Sequence, residues 1–293
     1  MIIKILGHGP WGKALASLLK HNEKNVSFLK REERSSNQDI LILALPTQSI
    51  RKALSFVIFP DKTPLIINTC KGIEQITHAF PHEIVSEQYG EETKYYTLMG
   101  PSFAHEVKDK MPTLVNLGYQ TEDEMDEKIR RLFLTDFFRV RLTKGVKALE
   151  LAGAFKNIYA IGCGIAEGLG YGINTKTKCM VLAIDELQHL SKQLHFPSDK
   201  EATAGTIGDI ILTCSSTASR NFRFGTLITK HSVTASKEII NSTVEGFYSL
   251  HSLLSLEERA NIRLPFADFV TSVVQTDKPT QVKQAFQQFI KTL

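Results

Sequence analysis

The sequence predicts an α/β amino-terminal domain on a doubly wound sheet, residues 1–143, followed by an all-α domain, residues 144–293. Three observations carry this. Short apolar and β-branched runs alternate with helical stretches as far as Leu142, the pattern of strands joined by helices. A glycine-rich turn, Gly7-His8-Gly9-Pro10-Trp11-Gly12, separates the first such run from the first helical stretch. From about Lys144 onward strand signals vanish and helical periodicity continues to the end of the chain. A chain of 293 residues is longer than one compact core usually supports, which fits two domains.

Composition narrows the class. The formal charge of +4 is too small to argue for nucleic acid and is compatible with an anionic small substrate. Cys70, Cys163, Cys179 and Cys214 are widely spaced and form no Cys-x-x-Cys pair. They suggest neither a metal site nor a disulfide framework and fit a reducing compartment. Met1-Ile2-Ile3-Lys4-Ile5-Leu6 runs straight into glycines, a strand and a turn that are far too short for a signal peptide. No apolar stretch is long enough to span a bilayer. The expectation is a cytoplasmic protein with no nucleic-acid partner and no membrane span, for which a homodimer is allowed but not dictated.

In the first domain, Ile2 to Leu6 reads as a strand and Lys13 to Lys20 as a helix, which sets the Gly-x-Gly-x-x-Gly turn in the Rossmann context. Gly7 permits the tight turn, Gly9 lets backbone approach a pyrophosphate, and Gly12 lets the helix pack close to the strand. The amides of the helix start then face the phosphates. Trp11 either covers a cofactor or plugs the domain. A second strand, Asn25 to Leu29, ends in Lys30-Arg31 where an NAD enzyme usually carries an acid, so two cations there suit a 2′-phosphate; Glu32 and Glu33 leave a surface turn of paired charges as the alternative.

Asp39 to Leu45 and Pro64 to Asn68 read as buried strands, the second ended by Thr69-Cys70-Lys71-Gly72. Strand carboxyl ends are where such sheets bind ligands, which points Lys71 into the crevice, although a loop lysine is by default solvated. Tyr95 to Met99 is a further strand, followed by Gly100-Pro101-Ser102-Phe103-Ala104, where Ser102 can serve simply as a cap. Pro112 to Leu117 is a strand, Thr121-Glu122-Asp123-Glu124 caps a helix running to Leu134, and Phe137 to Leu142 is the last strand.

The second domain opens on Leu149 to Gly162, where apolar residues recur at helical spacing around Lys156 and Asn157. An ammonium buried without partners is costly, so Lys156 is either a candidate acid/base or a lysine snorkelling from a core helix. The density of Gly162, Gly164, Gly168, Gly170 and Gly172 predicts that this helix breaks there, with a helix resuming from Met180 to Leu194. Asp209 stands inside an apolar helical run, where a carboxylate needs a cation or hydroxyl, unless it only starts a helix after Gly208. Ser219-Arg220-Asn221 offers hydroxyl, guanidinium and amide in a row, a set suited to a phosphate. Phe247 to Leu256 and Phe266 to Val274 read as packing helices.

Together these residues resemble the bacterial NAD(P)-dependent glycerol-3-phosphate dehydrogenases. The resemblance rests on Gly7 to Leu15, Lys71-Gly72-Ile73, Gly100 to Ala104, Gly153-Ala154-Phe155-Lys156-Asn157, Gly208 to Cys214, Ser219-Arg220-Asn221 and Val244-Glu245-Gly246, in the family's order and across most of the chain. It implies a Rossmann domain followed by an all-helical substrate domain, with NADP or NAD as cofactor and no metal. It implies that Pro10, Trp11, Lys30 and Arg31 lie along the dinucleotide, with Ala104 and Glu245 nearer its nicotinamide end and Arg220 also in reach. Lys71, Gly100 and Ser102 would approach cofactor and substrate. Lys156 resembles the family's proton acceptor, with Asp209 and Lys71 as catalytic neighbours. Asn157, Thr213, Ser219, Arg220 and Asn221 would surround the glycerol phosphate.

Two departures stand out. The chain is shorter than the family norm between its second and third strands, and Gly145 and Ala148 replace an Asp-x-x-Gly element before Lys156. The implied reaction is reversible NAD(P)H-dependent reduction of dihydroxyacetone phosphate to sn-glycerol 3-phosphate, feeding glycerophospholipid synthesis. The competing readings are a related 3-hydroxyacid dehydrogenase and a non-catalytic NAD(P)-binding sensor.

Overall fold

The structure is a computed structural model that describes residues 1–29, 38–59, 63–196 and 200–291. Lys30, Arg31 and most of the shortened segment lie outside the described residues. The chain divides into two compact units, Met1–Glu150 with a later segment ending at Thr206, and Leu151–Phe196 with Ile207–Leu293.

The first unit holds β1 (Ile2–Leu6), α1 (Pro10–His21), β2 (Asn25–Phe28), β3 (Ile40–Leu43), α2 (Ile50–Leu54), β4 (Leu65–Asn68), α3 (Pro81–Tyr89), β5 (Tyr95–Met99), α4 (Ala104–Lys108), β6 (Thr113–Tyr119), α5 (Glu124–Phe133) and β7 (Phe138–Lys144). The strands form one seven-stranded sheet in the order β2-β1-β3-β4-β5-β6-β7. The first five run parallel, and β6 is antiparallel to β5 and parallel to β7. The order reverses between β1 and β3, a switch point of the kind at which doubly wound sheets take ligands.

Period-two alternation explains why β3 is apolar throughout. Ile40 and Ile42 enter one core with Ala14, Leu15, Leu18 and Leu19 of α1 and Ile129, Leu132 and Phe133 of α5. Leu41 and Leu43 enter the other, with Ile50 and Leu54 of α2 and Ile84 and Val85 of α3. A strand buried on both faces has no polar side to alternate with. Within the stretch Thr121 to Glu124 expected to cap the next helix, the cap is Asp123, whose side chain accepts from Met125 N at 2.7 Å while Asp126 reaches back to the Asp123 amide at 3.1 Å.

The sequence expectation drew the domain boundary at 143; the compact units part after Glu150, inside α6 (Val146–Gly168). The second unit contains the remainder of α6 and α7 (Ile173–Gln193), α8 (Asp209–Ser215), α9 (Arg220–Leu227), α10 (Val233–Ile240), α11 (Glu245–Ala260), α12 (Pro265–Thr276) and α13 (Pro279–Lys291). Among the described residues it has no strand.

The helix does break within this glycine cluster, but only after Gly168, and α7 begins at Ile173 rather than at Met180. A Cβ at Gly162 would lie 2.3 Å from the Phe266 ring, and one at Gly164 would lie 2.0 Å from the Phe222 carbonyl. These glycines bring α12 and α9 close to α6 rather than ending it. Around them, Phe266, Phe269 and Phe289 stack, with Phe269 and Phe289 centroids 4.8 Å apart.

Candidate functional site

In the first unit, the carboxyl ends of β1, β4 and β5 carry the predicted residues. Gly7 follows β1 at φ +124°, and a Cβ there would fall 2.1 Å from the Ala44 carbonyl oxygen, so only glycine makes this turn. α1 starts at Pro10 with Gly9 as its extended cap, and its first turn carries no acidic residue. Helix-start amides without a nearby carboxylate favour an anion. No atom lies within 4 Å of the space a Gly9 Cβ would fill. The Trp11 body packs on the core of its sheet face, while its indole nitrogen is buried without a hydrogen-bond partner. The same is true of the Thr47 hydroxyl, just beyond β3.

These features fit a dinucleotide: open room beside helix-start amides, and buried polar atoms that the described residues leave unsatisfied. His8 stacks on Phe28 at the end of β2, their rings 4.1 Å apart.

Beyond β4, Lys71 Nζ donates to the Gly100 carbonyl at 3.1 Å, and the Ser102 hydroxyl donates to the same oxygen at 3.2 Å. The three residues expected to approach substrate and cofactor are therefore brought together within this unit. Ala104 opens α4 and packs, half-buried, against the core.

In the second unit, Lys156 on α6 is buried, and its ammonium donates to Asp209 Oδ1 at 2.5 Å and to Thr213 Oγ1 at 3.0 Å. Asp209 and Thr213 sit one helical turn apart on α8, where the Thr213 hydroxyl in turn donates to the Asp209 carbonyl at 2.6 Å. That bond orients the hydroxyl lone pairs toward the ammonium. A π-turn, Ala204–Gly208, leads directly into Asp209; such departures from the α ladder recur at functional sites. Lys156 is thus not a snorkelling lysine: its charge is partnered inside the fold.

Asn157 Nδ2 donates to Glu245 Oε2 at 2.9 Å, and Arg220 lies 4.0 Å from the other Glu245 oxygen. Asn221 Oδ1 accepts from Gly246 N at 2.9 Å. The approach needs glycine, because a Cβ at Gly246 would fall 2.4 Å from the Asn157 carbonyl. Asn157, Arg220, Asn221 and Glu245 therefore form one polar group around the start of α11. Ser219 caps α9, accepting from Phe222 N at 3.3 Å, a role not read from the sequence.

Sequence reasoning passed over Asn68, His82, Tyr95 and Glu150, which form a buried polar network in the first unit. A signal existed. Glu150 stands in the same apolar run as Lys156, and a carboxylate there needs donors as much as an ammonium needs acceptors.

All four cysteines are buried and free. Among the described residues no cluster of His, Cys, Asp and Glu could hold a metal ion, and no helix is long and apolar enough to cross a membrane.

Comparison with known proteins names the family. Residues 30–125 match the model of the NAD-dependent glycerol-3-phosphate dehydrogenase N-terminus, and residues 145–285 that of its C-terminus. The chain is 33% identical to glycerol-3-phosphate dehydrogenase [NAD(P)+] of Thermotoga sp. (strain RQ2), covering 94% of this chain and 92% of that one. It is 31% identical to the enzyme of the same name from Agathobacter rectalis, over 95% and 93%. The fold matches the crystal structure of glycerol-3-phosphate dehydrogenase from Coxiella burnetii with a TM-score of 0.86 at 23% identity, each chain covered to 98%. On these matches the chain belongs to the glycerol-3-phosphate dehydrogenase [NAD(P)+] family.

Proposed function

We propose that this chain reduces dihydroxyacetone phosphate reversibly to sn-glycerol 3-phosphate with NADPH or NADH. The observation that carries the chemistry is the buried Lys156 ammonium held by Asp209 and Thr213. Reduction places negative charge on the C2 oxygen, and a group able to give up a proton must meet it there. The Lys156 ammonium is held by Asp209 and Thr213, and the same nitrogen would present a proton to the substrate oxygen. In the reverse direction the same nitrogen accepts the alcohol proton. Asp209 and Thr213 hold the lysine so that no rotamer search precedes transfer.

In the first unit, Gly7, Gly9, Pro10, Trp11 and Gly12 would hold the dinucleotide, with Ala104 toward its nicotinamide end. A bound reduced nicotinamide supplies the hydride. Lys71 and Ser102, both directed at the Gly100 carbonyl, would meet the substrate from this unit. In the second unit Arg220, Asn221, Ser219 and Asn157 would bind the phosphate end, and Glu245 would set the direction of Arg220 and Asn157. Binding energy from a phosphate away from the reacting carbon aligns that carbon. The same reading has the protein acting in the cytoplasm on a phosphorylated small molecule, as a homodimer, in supply of glycerophospholipid synthesis.

The test is oxidation of NADH and NADPH, in parallel, by purified protein with dihydroxyacetone phosphate and with 3-keto acids as alternative substrates. Turnover on the phosphate alone supports the reading. Turnover only on a keto acid, or cofactor binding without turnover, overturns it.

A further inference from the structure

Glu150 is wholly buried near the start of α6, and its carboxylate receives four donors from three other elements. Asn68 Nδ2, at the end of β4, donates to Oε1 at 2.9 Å, and the Tyr95 hydroxyl of β5 donates to the same oxygen. Oε2 accepts from the His82 amide at 3.2 Å and lies 2.7 Å from His82 Nδ1. A carboxylate offers about four acceptor positions, and all are used. Burial, reinforced by the Glu150 charge, pushes the Tyr95 hydroxyl well above its ordinary value, so it remains a donor.

One of these donors leads to the candidate site. A carboxylate only accepts, so Asn68 must turn its NH2 toward Glu150, and its carbonyl is then left facing the Cys70 amide. That is the arrangement observed: Cys70 N donates to Asn68 Oδ1 at 2.8 Å, and Asn68 Nδ2 also approaches the Cys70 carbonyl at 3.3 Å. The side chain of Asn68 thus clamps both peptide groups of the residue immediately before Lys71. Thr69 anchors the same loop from the other side by donating to the Leu43 carbonyl at 2.6 Å. Beyond the clamp, Lys71 reaches the Gly100 carbonyl.

We propose that Glu150 is a positioning residue for Lys71: its buried carboxylate dictates the orientation of Asn68, which sets the backbone from which Lys71 is presented. The inference rests on the reading of Lys71 as a group that meets substrate. In Glu150→Gln the new amide, whichever way it turns, aims an N–H at donors that had an acceptor, and Asn68 loses the charge that holds its orientation. Asp126 provides the comparison, because it too is a buried carboxylate of this unit, accepting from the Tyr96 hydroxyl at 2.6 Å, but has no link to the Lys71 loop.

A double-mutant cycle with Lys71→Ala tests this, using kcat and KM for dihydroxyacetone phosphate. Glu150→Gln should lower kcat/KM at least about tenfold when Lys71 is present and less than about threefold in the K71A background, as coupled residues do. Asp126→Asn should show no such difference between backgrounds. Competitive acetylation read by mass spectrometry should show an altered rate at Lys71 in Glu150→Gln and an unaltered one in Asp126→Asn. Equal losses in both backgrounds, with unchanged acetylation of Lys71, would make Glu150 a core residue only and overturn the proposal. A fully active Lys71→Ala enzyme would instead remove the reading of Lys71 and the inference with it. Should Glu150→Gln not fold, Asn68→Ala cuts the same link while leaving the carboxylate three donors, and the same cycle and labelling decide.

Discussion

Lys156 Nζ stands 2.5 Å from Asp209 Oδ1 with both side chains buried, 8% and 1% exposed. Two charges so removed from water depend on each other: breaking a buried pair by deleting one partner typically costs about 3–5 kcal/mol, since the survivor is left unpaired. Asp209→Ala should therefore lower the melting temperature by several degrees and abolish turnover. Lys156→Ala should lower kcat by at least about 10²-fold, the size of a positioned acid/base contribution. A Lys156→Ala enzyme retaining a tenth of wild-type kcat would show that another group moves the proton.

Arg220 is exposed and only 4.0 Å from Glu245, too loose a pair to matter for stability. Arg220→Ala should leave the melting temperature within about a degree while raising KM for dihydroxyacetone phosphate roughly 10- to 100-fold, as loss of a charged hydrogen bond to a ligand does. Its effect on kcat/KM for unphosphorylated dihydroxyacetone should be under threefold. An equal loss on both substrates would place Arg220 away from the phosphate.

Gly9 and Gly12 separate folding from cofactor binding. A Cβ at Gly12 would lie 2.2 Å from the Gly7 carbonyl oxygen, whereas one at Gly9 meets nothing within 4 Å. Gly12→Ala should destabilise the protein by about 1–3 kcal/mol, as overpacking does. Gly9→Ala should keep the wild-type denaturation midpoint yet weaken NADH binding measured by fluorescence titration. Unimpaired binding in Gly9→Ala would remove the case for a phosphate beside that turn.

Glu186 predicts how stability varies with pH. Its oxygens accept from Phe266 N at 2.6 Å and Ala267 N at 3.3 Å, at the start of α12. Burial, with Asp268 adding a like charge, pushes its carboxyl up to about 7 from 4.5. Between those values the folded chain retains a proton that the unfolded chain has released. The contribution is therefore complete below about pH 4.5 and lost as pH rises through 7, with a ceiling of about 3 kcal/mol. Urea midpoints at pH 5.5 and 8 should converge in Glu186→Gln relative to wild type. An unchanged pH slope in that variant would show that Glu186 does not carry the effect.

Local pattern determined a great deal. The Gly7 to Gly12 turn, the uniformly apolar β3 and the charged residues set in apolar runs at Lys156 and Asp209 are all written in near-neighbour spacing, because turn sterics and side-chain periodicity act over a few residues. The family motifs are legible for the same reason. Tertiary structure decided who partners whom. Lys156 meets Asp209 and Thr213 from 53 and 57 residues away, Asn157 meets Glu245 from 88, and Glu150 draws donors from 55 to 82 residues upstream. It also decided that Gly162 and Gly164 continue a helix, since an aromatic ring and a carbonyl from distant helices occupy the space that a side chain would take. A buried charge declares in sequence that it needs a partner, but only the folded chain brings one within hydrogen-bond reach.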